Sequence, residues 1–429
     1  MRATIYKDTK RINGRARQVV EEMEREVIIN ESRIAMIQAL IPLGLKAVEE
    51  ELQAEVTQLV GGAHYERTGG RLKRWGQNPG SAFVGDQKVK INVPRVRNVG
   101  RRQEVQLKSY ERFQNPALVD EMALNRVING ISQGKYEKAA EHVPETFGIK
   151  KSAISRKFIR ASGRKLEEFM HRSLAGYDIV AIFIDGKCFA ENEMVIALGV
   201  TIEGDKVVLG LVETSTENAR VCRDFLNGMK DRGLNLDGEV LFVIDGGKGI
   251  HKGVTEVMGD RAVIGRCQWH KRENVVDYLA KERRDGLRGR LQAAYEQPSY
   301  EAAKKALLVV RGELKFINES AVNSLDEGFE ETLTLHSLGL FEKLGKSFKT
   351  TNCIENVNKQ LEVYTGRVSR WHSSDQRRRW VATALLEIEP RLNRVMGHEH
   401  LKELRVAMKR FVARRRKENA ARGSGRNIN

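Results

Sequence analysis

A short apolar strand that runs into a carboxylate occurs twice in this chain, and the repetition narrows what it can fold into. Ala181 to Ile184 lead into Asp185 in AIFIDGK, and Val240 to Ile244 lead into Asp245 in VLFVIDGGKG. Brief β-branched and aromatic runs bounded by glycine read as buried strands. Taken alone, an Asp-Gly pair after a strand is an ordinary turn, since both residues favour turn conformations. A third carboxylate, Glu355, stands in the helical pattern of SFKTTNCIENVNKQ, and a lone helical Glu is ordinarily a solvated residue. Only the order and surroundings of the three give them weight together.

Those surroundings are basic. The 429 residues carry 74 Lys and Arg against 57 Asp and Glu, a formal charge of +17, with 41% hydrophobic residues. That is enough apolar material for packed cores, so the charge excess points to a polyanionic partner rather than to global disorder. No apolar run approaches the roughly 18 residues that argue for a membrane span. The opening stretch MRATIYKDTKRINGRARQVV lacks the apolar segment of a secretory signal. Cys188, Cys222, Cys267 and Cys353 are too few and too scattered for a disulfide framework, so a reducing, cytoplasmic setting is expected. In such a chain, oxygen ligands of this kind suit Mg²⁺. Two strand-borne aspartates and a helix-borne glutamate point to two-metal chemistry on a nucleic-acid phosphodiester.

Ile41, Leu45, Val48, Leu52, Val56 and Leu59 form one helical stripe, which suits either a helix packed on its own domain or a dimerising helix. KVKINVPRVR alternates charge with β-branched residues and reads as a strand ending at Pro94. Arg95 and Arg97, with Lys88, Lys90, Arg101 and Arg102, give this region a positive face, either a solvated edge or a phosphate-contacting hairpin. KYEKAAEHVPETFGIKKSAISRKFIRAS resembles a helix-turn-helix turning at Phe147-Gly148, with Ile149 and Ile154 inward and Lys150, Lys151, Ser155, Arg156 and Lys157 outward. Pro144 interrupts its first helix.

Three consecutive apolar strands follow at 178–186, 194–205 and 206–216, with a hairpin turn at Gly204-Asp205. Then come a helix at 218–233, with Val221, Phe225 and Met229 in step, a strand at 239–245, a helix at 249–258 and a strand at 262–269. This order is similar to an RNase H-like fold, in which the first and fourth strands are neighbours, so Asp185 and Asp245 would meet at one sheet edge. Residues 271–348 are charged and helical, too ordered for a loop. Thr351 and Asn352 read as caps of a helix on which Asn352, Glu355, Asn358 and Lys359 share a face.

The expected fold class is therefore an α/β RNase H-like catalytic core with an all-α insertion domain, preceded by a mixed N-terminal DNA-binding and dimerisation region containing the helix-turn-helix. The divisions are 1–62 (helical, dimerising), 63–114 (basic, β-rich), 115–172 (helix-turn-helix), 173–270 with 349–400 (core), 271–348 (insertion) and 401–429. The last holds nine basic residues from Arg405 onward and one acid, Glu418, and reads as a basic tail, an extended helix end followed by a disordered basic arm.

With FIDGK, VIDGGKG, RCQWHKREN and TTNCIENVNK in this order, the chain resembles the Mutator-like bacterial insertion-sequence transposases, a DDE family. Cys267-x-x-His270, the Arg367-x-x-Arg370-Trp371 run and Arg379-Trp380 belong to the same resemblance, which covers about residues 60–395. It implies cleavage at element ends and strand transfer into target double-stranded DNA. It also implies a homodimer or higher oligomer on paired ends, with Mg²⁺ or Mn²⁺ as cofactor. Asp185, Asp245 and Glu355 become the metal ligands. Cys267 and His270 supply only two of the four ligands a zinc site needs, so His270 is expected at the end of the fifth strand, ordering the site or touching the scissile phosphate. Lys248, with Lys187, Arg266 and Lys271, flanks these elements as a phosphate contact or a solvated rim. Two other readings stand beside this one: an RNase H-like structure-selective nuclease, and a domesticated, non-catalytic DNA-binding protein.

Overall fold

The computed structural model describes residues 44–62, 70–84, 87–114, 117–130, 151–189, 191–215 and 218–424. The chain divides into two compact units between Ala161 and Ser162.

In the first unit a helix over 44–60 lies on an antiparallel sheet of β1 (Leu72–Val84), β2 (Gln87–Asn98) and β3 (Gln103–Val105), in that order. Alternation along β2 turns Val89, Ile91 and Val93 inward and leaves Lys88 and Lys90 exposed. The helical stripe at Val48, Leu52 and Val56 covers Ala82, Ile91, Val93 and Val96. These three residues pack on the helix's own sheet, while Leu59 of the same stripe is exposed and Ile41 lies outside the described residues. β2 does not end at Pro94 but continues to Asn98. Proline brings no N–H to a ladder, and Pro94 lies outside the β3 pairing, beside the irregularity in β1 between Arg74 and Gln77. Of the expected helix-turn-helix, residues 131–150 lie outside the described residues. The chain is described again from Lys151, as one helix, Lys151–His171, in which Ile154 is buried. Asp120, fully buried, takes two hydrogen bonds from Arg160 at 2.8 and 2.9 Å and ties this helix to Ala117–Ile128.

The second unit holds a five-stranded sheet in the order β6-β5-β4-β7-β8, where β4 is Ile179–Phe189, β5 Asn192–Thr201, β6 Lys206–Thr214, β7 Leu241–Ile244 and β8 Val263–Arg266. β4, β5 and β6 form an antiparallel meander that turns at Gly204 (φ +92°), while β7 and β8 add on in parallel. β4 alternates between two cores: Ala181 and Phe183 enter one, Ile182 and Ile184 the other. The Ile182 side is covered by helices Ala219–Asp231 and Lys248–Met258. Here Cys222, Leu226 and Met229 are buried, Phe225 packs against this core partly buried, and Val221 is half-buried. The two helices approach closely where Gly253 meets Cys222, and a Cβ added there would lie 2.6 Å from the Cys222 Cβ, so the contact leaves no room for a side chain.

The Phe183 side is covered by helices Phe341–Phe348, Asn352–Thr365, Ser374–Ile388 and Leu401–Ser424. The last of these begins the segment expected to be a basic tail. Leu401, Leu404, Met408 and Val412 are instead buried in the core, a stripe at steps of three, four and four residues hidden among arginines. Arg405 clamps Asp178 at 2.6 and 2.8 Å, and Arg416 reaches Asp260 at 2.6 Å. Between β8 and Phe341, helices Gln268–Val276, Lys281–Tyr295, Tyr300–Leu314 and Glu319–Asp326 build a core of their own around Leu291, Leu307 and Leu325. No helix among the described residues is long and apolar enough to cross a membrane.

Candidate active site

β4 and β7 run in parallel and their pairing stops at Ile184–Ile244, one residue before each aspartate. Asp185 is not at the exit of its strand. β4 continues to Phe189 as a hairpin with β5, and Asp185 stands opposite Ile196. It continues the alternation of Ala181 and Phe183, the face on which the Glu355 helix lies. After β7 the chain turns at once. Gly247 N–H donates to Asp245 Oδ1 at 3.0 Å, and Gly246 takes φ +108°, the left-handed region that glycine alone enters freely. The Arg266 guanidinium fills the space a side chain there would need and donates to the Gly246 carbonyl at 3.0 Å.

Glu355 arrives from far along the chain through backbone anchors. Cys267 N–H extends the β7 ladder by donating to the Ile244 carbonyl at 2.8 Å, and Gln268 N–H donates to Lys349 O at 2.9 Å. Phe348 stacks on Phe183 with ring centroids 5.6 Å apart, seating the start of helix Asn352–Thr365 over β4. His270 is not at the end of a strand: β8 stops at Arg266, and His270 lies in the first turn of helix Gln268–Val276. Cys267, His270 and Glu355 present ligand atoms within 4.8 Å of one another. Thr351 stands at the N-cap of its helix, as expected, but its side chain makes no capping bond; its hydroxyl donates to Glu355 Oε1 at 2.7 Å. Asn358, one turn further on and buried, donates from Nδ2 to Asp185 Oδ2 at 2.8 Å.

The electrostatics bind these groups into one site. Burial, reinforced by the charge of Asp245 and offset by His270, pushes the Asp185 carboxyl up to about 6. A hydrogen bond with Cys267 raises His270 to about 9 against the pull of burial, and the charges of Asp245 and Glu355 add to the rise. Sequence reasoning missed a fourth carboxylate. Glu193, from β5, lies over Gly186, where any side chain would overlap it, and burial together with Asp245 raises its pKa. Asn358 Oδ1 is buried without a hydrogen-bond partner. The carboxylates of Asp185, Asp245 and Glu355 are coupled by charge, and oxygen donors of this kind suit a hard divalent cation, but among the described residues the ligand atoms within 4.8 Å of one another are those of Cys267, His270 and Glu355, without either aspartate.

The basic residues divide by role. Lys248 is exposed at the start of its helix, and Arg367 and Arg370 are exposed in the loop before Ser374. Lys187 pairs with Glu362 at 3.2 Å. Arg266 and Lys271 are buried and structural rather than parts of a rim: Lys271 donates to the Ser324 carbonyl at 2.6 Å, and Arg266 to Glu327 O at 3.0 Å. In the first unit, Arg95 is held by Glu104 at 2.6 Å and Arg97 lies over the Trp75 ring at 4.9 Å. Arg156 is exposed and Ser155 half-buried. Lys157 turns inward, with its ammonium 5.2 Å from the Phe83 ring, because its position in the helix falls one turn after buried Ile154. Lys150 and the Lys151 side chain lie outside the described residues.

In a mixed sheet, the two adjacent parallel strands bring Asp185 and Asp245 side by side just past the point where their pairing stops, in a strongly basic chain. The family model "Transposase, Mutator family" matches residues 20–389, and the chain belongs to that family. It is 27% identical to the transposase for insertion sequence element ISRM5 of Rhizobium meliloti over 84% of this chain and 92% of that protein. It is 26% identical to the transposase for IS256 in transposon Tn4001 of Staphylococcus aureus, over 72% and 80% of the two chains. It is 24% identical to the transposase for IS905 of Lactococcus lactis, over 79% and 85%.

Proposed function

We propose that this chain is a DNA transposase with an RNase H-like core, which binds the terminal inverted repeats of an insertion sequence, cleaves there and joins the ends to target double-stranded DNA. The observation that carries this reading is the coupling of Asp185, Asp245 and Glu355, drawn from two adjacent strands and a distant helix, in a member of the Mutator transposase family. The sheet order, with the first and fourth strands of the unit side by side, supports the core assignment.

In this mechanism Asp185, Asp245 and Glu355 would hold Mg²⁺ or Mn²⁺. When bound, the cations lower the pKa of the attacking water or DNA 3′-hydroxyl and stabilise the leaving oxygen. Gly247 N–H and Asn358 Nδ2 orient the two aspartates. His270, carrying a positive charge below pH 9, balances the carboxylates and faces the scissile phosphate. Lys248, Arg367 and Arg370 contact the DNA backbone. Arg156 and the flanking basic residues of 150–157 contribute to end recognition. Two ends must be held together, so the working form is a homodimer or larger.

The test is a strand-transfer assay with the flanking element DNA, a plasmid target and Mg²⁺ or Mn²⁺, running wild type beside Glu355→Gln. Joined products from wild type alone support the proposal. Nicking without joining supports a structure-selective nuclease instead. DNA binding by both proteins with cutting by neither supports a domesticated binding protein.

A further inference from the structure

Thr351 is fully buried, and its hydroxyl oxygen touches three groups at once: Glu355 Oε1 at 2.7 Å, His270 Nδ1 at 3.3 Å and Cys267 Sγ at 3.4 Å. Its backbone N–H donates to the same sulfur at 3.4 Å, which pins the residue from the main-chain side. A hydroxyl has one proton to give and two lone pairs to receive with. The short contact to a carboxylate is charge-assisted and claims the proton. The oxygen then meets His270 only as an acceptor, so Nδ1 carries a hydrogen in either charge state of the ring. Nε2 is left as the nitrogen whose proton can exchange.

The same contacts weigh against a zinc centre at Cys267, His270 and Glu355. Zinc draws its ligands to about 2.0–2.3 Å, whereas here the Thr351 oxygen already lies within hydrogen-bonding reach of all three ligand atoms. The cluster is organised around a hydroxyl.

We infer that Thr351 is a positioning residue of the active site, whose single hydroxyl sets the orientation of the Glu355 carboxylate and the proton placement on His270. This rests on the proposed role of Glu355 as a metal ligand. Partners that orient a ligating group change metal affinity by about 10–100-fold when removed. The experiment is titration calorimetry of the full chain with Mn²⁺, comparing wild type, Thr351→Val, Thr351→Ser and Glu355→Gln, with melting temperatures as a folding control. Thr351→Val keeps the shape and removes the hydroxyl. The expected result is Mn²⁺ binding weakened by about 10–100-fold in Thr351→Val and restored close to wild type in Thr351→Ser.

If Glu355→Gln weakens Mn²⁺ binding while Thr351→Val binds like wild type, the hydroxyl has no positioning role and the inference is overturned. If neither variant weakens it, the ligand role of Glu355 falls and takes the inference with it. Equal loss in Thr351→Val and Thr351→Ser also overturns it, because the hydroxyl would then not be what matters.

Discussion

Without a divalent cation, Asp185 is a liability to the fold, and removing its charge should stabilise the protein. Its folded value of about 6 stands above the ordinary aspartate value of 3.8, first because it is buried and second because Asp245 faces it. Between those two values the folded state keeps a proton that the unfolded chain has released. Stability therefore falls as pH rises from about 4 to about 6, and the full penalty persists above that. At about 1.4 kcal/mol per tenfold change in proton affinity, the penalty is about 3 kcal/mol.

Asp185→Asn keeps the side-chain shape and an oxygen for Asn358 Nδ2 while removing the charge. In EDTA at pH 7 the variant should be more stable than wild type by about 2–3 kcal/mol, roughly 5–10 °C in melting temperature for a unit of this size. The gap should close as pH falls toward 4 and below, where wild-type Asp185 is protonated in the folded state and regains its proton in the unfolded chain. Mg²⁺ at pH 7 should raise the wild-type melting temperature and leave the variant nearly unchanged, since ligand binding to the folded state alone stabilises it by mass action. Calorimetric scans across pH 4 to 7.5 measure all of this. A gap that is absent at pH 7, or that widens as pH falls, would refute the argument that burial and Asp245 strain this carboxyl.

Three further outcomes rest on particular contacts. Gly186→Ala displaces the Glu193 carboxylate that it would overlap, so it should destabilise the protein alone and much less in a Glu193→Ala background, with a coupling of about 1 kcal/mol or more in a double-mutant cycle followed by urea unfolding. Lys271, buried and with its pKa lowered by burial to about 8, should tolerate Lys271→Met with stability unchanged or improved and with DNA affinity unaltered in a filter-binding titration; a large loss of affinity would return it to the phosphate contacts. Met408→Ala, in the terminal helix, should cost about 2–5 kcal/mol by urea unfolding, as a core truncation does, whereas a dispensable tail would lose almost nothing.

Elements are legible in a sequence to the extent that they leave a periodic trace. The apolar runs before Asp185 and Asp245 and the helical spacing around Glu355 announced the elements that carry these residues, because burial on a face imposes a repeat of two or of 3.6, but not that β4 runs on past Asp185. β1 was hidden by RWGQNPG, where Gly76 at φ +80° and the register shift after Arg74 replace the regular alternation. Charge hid more. Lys157 read as an outward residue of a recognition helix, and Arg266 and Lys271 as phosphate contacts or a solvated rim, yet each is buried. A long basic side chain buries its stem against apolar neighbours and keeps its head group bonded to a carbonyl, a carboxylate or a ring. The sequence shows the head group but not the partner 50 or more residues away, such as Ser324 for Lys271 or Glu327 for Arg266. Thr351 and Asn358 escaped for the same reason. As local letters they are a cap and a polar helix residue; what makes them part of the site is a hydrogen bond to Glu355 inside one turn and another to Asp185 on a strand 173 residues earlier. Asp185, Asp245 and Glu355 are thus legible from the strands and helix that carry them, while the groups bonded to Asp185 and Glu355 become visible only once the helix is laid on the sheet.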